Sequence, residues 1–108
     1  MSLLAPLDRW RAPAPNPRKV AWLSGHTYAH RGMHGPGIPE NSIAAFSRAI
    51  GNGLGIECDV HRARDGMPVV FHDWDLERLT GQDGDIAQLT GAQLGAIRLS
   101  GSTETIPD

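Results

Sequence analysis

The sequence predicts an α/β fold built as one small domain. Apolar and polar residues alternate over residues 56–60, and a short apolar run occupies residues 68–71; both patterns are typical of strands. Residues 43–50 instead repeat their apolar side chains at helical spacing. A chain of 108 residues has room for a single core. We therefore expect strands that alternate with a helix around one core.

The charge balance limits the partners of the chain. Lysine and arginine number 10 against 12 carboxylates, for a formal net charge of −2, whereas a nucleic-acid binder needs a clustered basic excess. No apolar stretch approaches the roughly 20 residues that span a bilayer. The single Cys58 excludes an internal disulfide and a four-cysteine zinc site. We expect a soluble chain with no nucleic-acid partner and no stable membrane anchor.

The N-terminal part is rich in proline. Residues 6–19 contain Pro6, Pro13, Pro15 and Pro17 and predict an extended segment, since proline fixes φ and removes an N–H donor. We assign residues 1–26 to this lead-in. The first residues lack the basic leader of a secretory signal, which favours the cytoplasm. A periplasmic location stays open if a signal peptide has been removed.

The folded part begins with a strand and a helix. Residues 27–29 have strand character and run into His30. Asn41 or Ser42 is a suitable N-cap for a helix that ends near Gly51. Over residues 56–60 we expect one strand, with Glu57 and Asp59 on the same face. After it we expect a turn at Asp65-Gly66, a buried strand at 68–71, a short helix or turn at 76–80 and a weak helix at 90–99.

Two of the five histidines have a position that favours chemistry. His30 and His72 each follow a strand, the place from which α/β folds present functional groups, whereas the other three match ordinary surface histidines. Two imidazoles beside one substrate can act as acid and base. Arg31 adds a guanidinium suited to a phosphate.

Glu57 and Asp59 are the candidate metal ligands. Carboxylates that face the same way repel each other unless a proton or a cation lies between them, and a hard divalent cation binds through such oxygens. An ordinary exposed strand face is the alternative interpretation of the same pattern.

Several segments in order resemble the glycerophosphodiester phosphodiesterase family over about residues 27–108. They are Ala-His-Arg-Gly at 29–32, Pro-Glu-Asn-Ser at 39–42, Ile-Glu-Cys-Asp-Val at 56–60, Asp-Gly at 65–66, Val-Val-Phe-His-Asp at 69–73 and Leu-Glu-Arg-Leu-Thr at 76–80.

The resemblance implies a TIM (β/α)8 barrel of the phosphodiesterase type, of which this chain holds only the N-terminal portion, because such a barrel takes roughly 250 residues. It implies metal-dependent hydrolysis of a small glycerophosphodiester to glycerol 3-phosphate and an alcohol. On this chain it assigns acid and base roles to His30 and His72, a phosphate contact to Arg31, and two ligands of Ca²⁺ or Mg²⁺ to Glu57 and Asp59. A third metal carboxylate is expected after residue 108.

Two other functions stay open at this point. One is a related phospholipase that acts on intact lipid headgroups, and the other is a non-catalytic truncated or binding module. We expect the 108 residues to be part of a longer chain and, alone, to have little diesterase activity. The sequence names neither the alcohol nor an oligomeric state.

Overall fold

The computed structural model describes residues 12–108, so residues 1–11 of the predicted lead-in lie outside the described part. Within residues 12–26, the expectation of an extended lead-in is wrong over two short elements. Residues Pro17–Val20 form one helical turn, α1, and a 3₁₀ turn follows at Ala21–Gly25. The side chain of Asn16 accepts a hydrogen bond from the Arg18 amide at 3.0 Å. Pro17 is favourable at the first helical position because the N–H that it lacks has no partner there.

The first strand, helix and second strand form one βαβ unit. β1 (Tyr28–His30) pairs in parallel with β2 (Gly55–Glu57), and α2 (Ile43–Gly51) lies in the connection between them. The register places Tyr28 opposite Gly55 and His30 opposite Glu57. The predicted first strand and helix are confirmed.

Helix α2 begins where the sequence predicts. The Ser42 hydroxyl accepts a hydrogen bond from the Ala45 amide at 3.1 Å and caps the helix. Ala45 and Ala49 are fully buried, while the larger Ile43 and Ile50 are exposed. The small side chains therefore form the inner face, which brings the helix backbone close to the neighbouring loop.

The prediction of one strand over residues 56–60 is wrong. β2 ends at Glu57, and a separate strand β3 (Val60–Arg62) pairs antiparallel with β4 (Pro68–Val70). The chain leaves one sheet and enters the next within two residues, where the Asp59 carbonyl accepts a hydrogen bond from the Phe71 amide at 2.9 Å. Because the alternation is interrupted there, Cys58 and Val60 are exposed.

The turn between β3 and β4 occurs at the predicted Asp65-Gly66. Gly66 has a φ of +86°, and its amide donates to the Ala63 carbonyl at 2.9 Å. An antiparallel pair needs only a short turn, so no crossover helix is required here. The predicted turn is confirmed, and it joins two antiparallel strands instead of the parallel strands of a regular TIM barrel.

The C-terminal third covers β4 and completes the core. It contains α3 (Glu77–Thr80), a 3₁₀ turn at Ile86–Gln88 and α4 (Gly91–Gly95), which a capping box between Thr90 and Gln93 begins. The short helix or turn predicted at 76–80 is a helix, whereas the helix predicted over 90–99 is restricted to Gly91–Gly95. The buried core consists of Ala63, Val69, Phe71, Leu76, Ile86, Leu94, Ile97, Leu99 and Ile106. Among residues 12–108, every helix is too short or too polar to cross a membrane.

Gly32 allows the loop after β1 to approach helix α2. Its φ is +78°, and a Cβ at this position would lie 2.8 Å from the Ala45 Cβ and 3.0 Å from the Phe46 ring. Gly37 has a similar φ of +74° but has no atom within 4 Å of the same position. The two glycines separate the effect of close approach from the effect of backbone conformation.

We expect Gly32→Ala to lower the free energy of unfolding by about 1–3 kcal/mol more than Gly37→Ala does. Both substitutions strain a left-handed residue by roughly 1–2 kcal/mol, but only the first also overpacks the contact with α2. Urea unfolding followed by circular dichroism measures the difference. Equal losses in the two variants would show that the close contact has no energetic importance.

Candidate functional site

Two of the predicted site residues lie side by side at one edge of the parallel sheet. His30 ends β1 and Glu57 ends β2, directly opposite each other in the register. The His30 Nε2 lies 3.7 Å from the Glu57 Oε2, and both side chains are accessible to solvent, at 71% and 43% exposure. Since the carboxyl ends of parallel strands form one edge, this is where an α/β fold places its functional groups.

Arg31 lies between the two predicted metal-binding carboxylates. Its backbone amide donates to the Glu57 Oε2 at 3.1 Å, and its Nε lies 3.7 Å from the Asp59 Oδ2. The Nε is buried and has no hydrogen-bond partner among the described residues. Arg31 therefore contacts Glu57 through its backbone amide and lies close to Asp59 through a guanidinium that retains one unused donor.

Asn41 fixes the position of Asp59. Its amide nitrogen Nδ2 donates to the Asp59 Oδ2 at 3.1 Å, and its Oδ1 accepts from the Asp59 backbone amide at 3.4 Å. The Asn41 backbone amide donates to the Arg31 carbonyl at 2.8 Å. Arg31 and Asn41 have φ values of +59° and +55° and are the non-glycine residues of the described chain with positive φ. Such strain, of order 1–3 kcal/mol per residue, is concentrated at functional sites.

Glu40 is a buried carboxylate held by two arginines. It is 7% exposed, and its Oε2 accepts from the Arg31 Nη1 at 2.5 Å while its Oε1 accepts from the Arg78 Nη2. Burial alone raises the pKa of Glu40, but the hydrogen bonds from Arg31 and Arg78 outweigh it and bring the pKa below its ordinary value. Glu40 is therefore ionised at neutral pH and ties Arg31 to Arg78.

His72 is linked to this network through its neighbour in sequence. The His72 Nδ1 and the Asp73 Oδ1 are 2.7 Å apart, and Arg78 donates to both Asp73 oxygens, from Nε at 2.8 Å and from Nη2 at 3.1 Å. The hydrogen bonds from Arg78, with a smaller contribution from His72, lower the pKa of Asp73 to about 2. No described contact joins His72 directly to His30, Glu57 or Asp59.

Sequence reasoning missed the four residues that connect the site: Glu40, Asn41, Asp73 and Arg78. The contacts of Asn41 with Asp59 and of Glu40 with Arg78 span 18 and 38 positions, which no local pattern indicates, whereas Asp73 and Arg78 are only 5 positions apart. All four residues lie in segments that carry the family resemblance, at 39–42, 69–73 and 76–80, but we gave them no role in the site. We interpreted the position of Asn41 next to a helix start as capping. His61, one of the histidines left without a role, accepts from or donates to no site side chain; its Nε2 lies 2.9 Å from the His72 carbonyl oxygen.

The donor set fits part of a site for a hard cation. Glu57 and Asp59 present carboxylate oxygens, the ligands that Ca²⁺ and Mg²⁺ prefer. Within residues 12–108, however, no group of three His, Cys, Asp or Glu side chains is close enough to hold a metal. A cavity of about 470 Å³, lined in part by Ile43, Met67 and Glu104, includes none of the predicted site residues.

Residues 30–108 match the family model described as the Glycerophosphoryl diester phosphodiesterase family. The chain is 46% identical over 63 residues to a glycerophosphodiester phosphodiesterase of Caldanaerobacter subterraneus, covering 57% of this chain and 26% of that protein. It is 41% identical over 75 residues to a probable glycerophosphodiester phosphodiesterase 1 of Mycobacterium tuberculosis, covering 67% and 27%. The chain thus spans about a quarter of the length of these curated relatives.

Solved structures show the same likeness. A phosphodiesterase of Oleispira antarctica, in complex with the product sn-glycerol-3-phosphate, has a TM-score of 0.68 at 37% identity, covering 76% of this chain and 36% of that one. A glycerophosphoryl diester phosphodiesterase of Parabacteroides distasonis has a TM-score of 0.70 at 32% identity, covering 76% and 31%. The predicted resemblance and the predicted fold class, the N-terminal portion of a TIM barrel of this type, are confirmed.

We expect the stability of the chain to fall between about pH 4 and pH 2 in part because Asp73 becomes protonated. Its pKa is about 2 in the folded chain and about 3.9 in an unfolded one. The stabilisation is therefore fully present above pH 4 and is lost as the pH falls through 2. At pH 6, Asp73→Asn should lower the free energy of unfolding by about 1 kcal/mol, a value reduced by the solvent around Arg78.

Urea unfolding at a series of pH values measures this effect, with Asp83→Asn at an exposed position as the control. The difference between Asp73→Asn and the parent should shrink below pH 4 and vanish only below pH 2, where Asp73 is protonated in the folded chain as well. A difference that stays constant from pH 6 to pH 2 would contradict the ion pair between Asp73 and Arg78.

Proposed function

The chain belongs to the glycerophosphoryl diester phosphodiesterase family, and from that premise we propose that the protein hydrolyses glycerophosphodiesters to glycerol 3-phosphate and an alcohol. Residues 27–108 would form the N-terminal part of the barrel domain, preceded by the lead-in of residues 1–26. The chain covers 26% of the relative from Caldanaerobacter subterraneus and 36% of the phosphodiesterase from Oleispira antarctica. The proposal therefore concerns the protein at its natural length.

The observation that carries the proposal is the surroundings of Arg31. The buried Nε has no hydrogen-bond partner in the described residues and lies 3.7 Å from the Asp59 Oδ2, near the sheet edge that holds His30 and Glu57. A guanidinium with an unused donor is suited to a phosphate oxygen. The similar protein from Oleispira antarctica holds sn-glycerol-3-phosphate, which supports a phosphate ligand for this kind of site.

The hydrogen bond from His72 to Asp73 indicates which histidine acts as the base. With a pKa of about 2, Asp73 is ionised and can only accept a hydrogen bond. The proton of a neutral His72 ring is therefore on Nδ1, which leaves Nε2 with a free lone pair. We assign the general base to His72 and the general acid to His30.

The proposed reaction proceeds in two steps, the formation of a cyclic phosphate and its hydrolysis. His72 Nε2 takes the proton of the glycerol 2-hydroxyl as that oxygen bonds to phosphorus, and the bond from phosphorus to the alcohol oxygen breaks. His30 donates a proton to the departing oxygen. Water then opens the cyclic phosphate with the two histidines in reversed roles, giving glycerol 3-phosphate. Arg31 holds the phosphoryl oxygens and balances their negative charge during both steps.

Glu57 and Asp59 would hold a divalent cation, Ca²⁺ or Mg²⁺, together with ligands from outside the described residues. When bound, such a cation withdraws negative charge from the phosphoryl group. In the absence of the cation, the two carboxylates would repel an anionic substrate. We therefore expect chelation by EDTA to abolish hydrolysis and added Ca²⁺ or Mg²⁺ to restore it.

We expect His30→Ala and His72→Ala each to lower kcat on glycerophosphocholine by about 10²- to 10⁴-fold, since each removes one proton-transfer group. The matched control is His34→Ala, at an exposed histidine outside the network. The measurement follows glycerol 3-phosphate by ³¹P NMR in the protein of natural length.

Parental rates in both variants would contradict the assignment. A parental protein that turns over micellar phospholipid but not glycerophosphocholine would support the phospholipase instead. The absence of any EDTA-sensitive hydrolysis in the parent would support the non-catalytic module.

A further inference from the structure

Arg78 joins two carboxylates that serve different parts of the proposed site. It lies on α3 and forms a two-pronged contact with Asp73, through Nε at 2.8 Å and Nη2 at 3.1 Å. Its Nη2 also donates to the Glu40 Oε1. A guanidinium is planar and carries five N–H donors, so it can hold two carboxylates at once in a fixed geometry.

The contact with Asp73 places Arg78 next to the carboxylate that faces the His72 ring. Both Asp73 oxygens receive hydrogen bonds from Arg78, and the Oδ1 also lies 2.7 Å from the His72 Nδ1. A carboxylate held in this way cannot rotate away from the ring. An orienting acceptor at Nδ1 fixes the tautomer and the angle of an imidazole.

The contact with Glu40 supports Arg31 on the other side. Glu40 is 7% exposed, and each of its oxygens is occupied by one arginine. A buried carboxylate that loses one of two partners is costly. Without Arg78, Glu40 would have Arg31 as its only cationic partner among the described residues, and the Arg31 side chain would be free to shift toward the vacant oxygen.

We propose that Arg78 is a positioning residue, which couples the His72 side of the site to the Arg31 side through Asp73 and Glu40. It contacts neither substrate nor cation and acts through the groups that it orients. The consequence for the reaction rate rests on the proposed function, whereas the coupling between Arg78 and the His72 ring does not.

The test compares Arg78→Met, Arg78→Lys and a control, Arg98→Met, at another exposed arginine. The first readout is the tautomer of the neutral His72 ring, from its side-chain ¹⁵N chemical shifts. We expect the proton on Nδ1 in the parent and in Arg98→Met. In Arg78→Met, where Asp73 has lost both hydrogen bonds from Arg78, we expect a mixture of the Nδ1-protonated and Nε2-protonated rings.

The second readout is kcat and KM on glycerophosphocholine in the protein of natural length. Arg78→Met should lower kcat by about 10- to 100-fold, as for other residues that orient a catalytic group, and should change KM less. Arg78→Lys keeps the charge but reaches only one carboxylate, because an ammonium group lacks the fork. The kcat of Arg78→Lys should lie between that of the parent and that of Arg78→Met.

A folded Arg78→Met variant that keeps the parental His72 tautomer would overturn the proposal, and so would a parental kcat in that variant. If Arg78→Met does not fold, Arg78→Lys provides the comparison, because its ammonium group cannot hold Asp73 and Glu40 at once. A parental His72 tautomer together with a parental kcat in Arg78→Lys would then overturn the proposal. A parent without hydrolysis would refute the proposed function alone, because the His72 tautomer still tests the coupling.

Discussion

The structure of the site depends on the burial of one carboxylate between two guanidiniums. Glu40 is nearly inaccessible, and it stays ionised there because Arg31 and Arg78 donate to its two oxygens. The desolvation penalty of a buried charge is offset only when all its hydrogen bonds are made. This requirement fixes both arginines, and through Arg78 it also fixes Asp73. The more exposed Arg78 and Asp73 are thus held in place by the buried Glu40.

The loop between β1 and α2 contains both Arg31 and Glu40, and its backbone conformation allows the two side chains to form their ion pair. Arg31 and Asn41 have left-handed conformations, and Gly32 approaches the helix more closely than any residue with a Cβ would allow. These strained positions place the Arg31 amide on Glu57 and the Asn41 side chain on Asp59. The strain is tolerated because hydrogen bonds hold the loop, from the Met33 amide to the Ala45 carbonyl of α2 and from the Asn41 amide to the Arg31 carbonyl. The site is therefore positioned by the loop as much as by the strands.

Local patterns in the sequence predicted the parts of the fold that local interactions determine. The cap at Ser42, the turn at Asp65-Gly66 and the strand ahead of His72 are of this kind. The break after Glu57 was missed because alternation describes a strand but not the sheet it joins. The contacts of Glu40 and Arg78, which are 38 positions apart, depend on the folded chain. The predicted catalytic and metal-binding residues remain predictions until activity is measured.

A crystal structure of the protein at natural length with Ca²⁺ and sn-glycerol 3-phosphate would test the central claim most directly. We expect a phosphate oxygen within about 3.2 Å of an Arg31 nitrogen and Ca²⁺ at about 2.3–2.6 Å from oxygens of Glu57 and Asp59. Arg78 should still join Glu40 to Asp73. A phosphate and a cation bound together elsewhere, with Arg31 in contact with neither, would contradict the account.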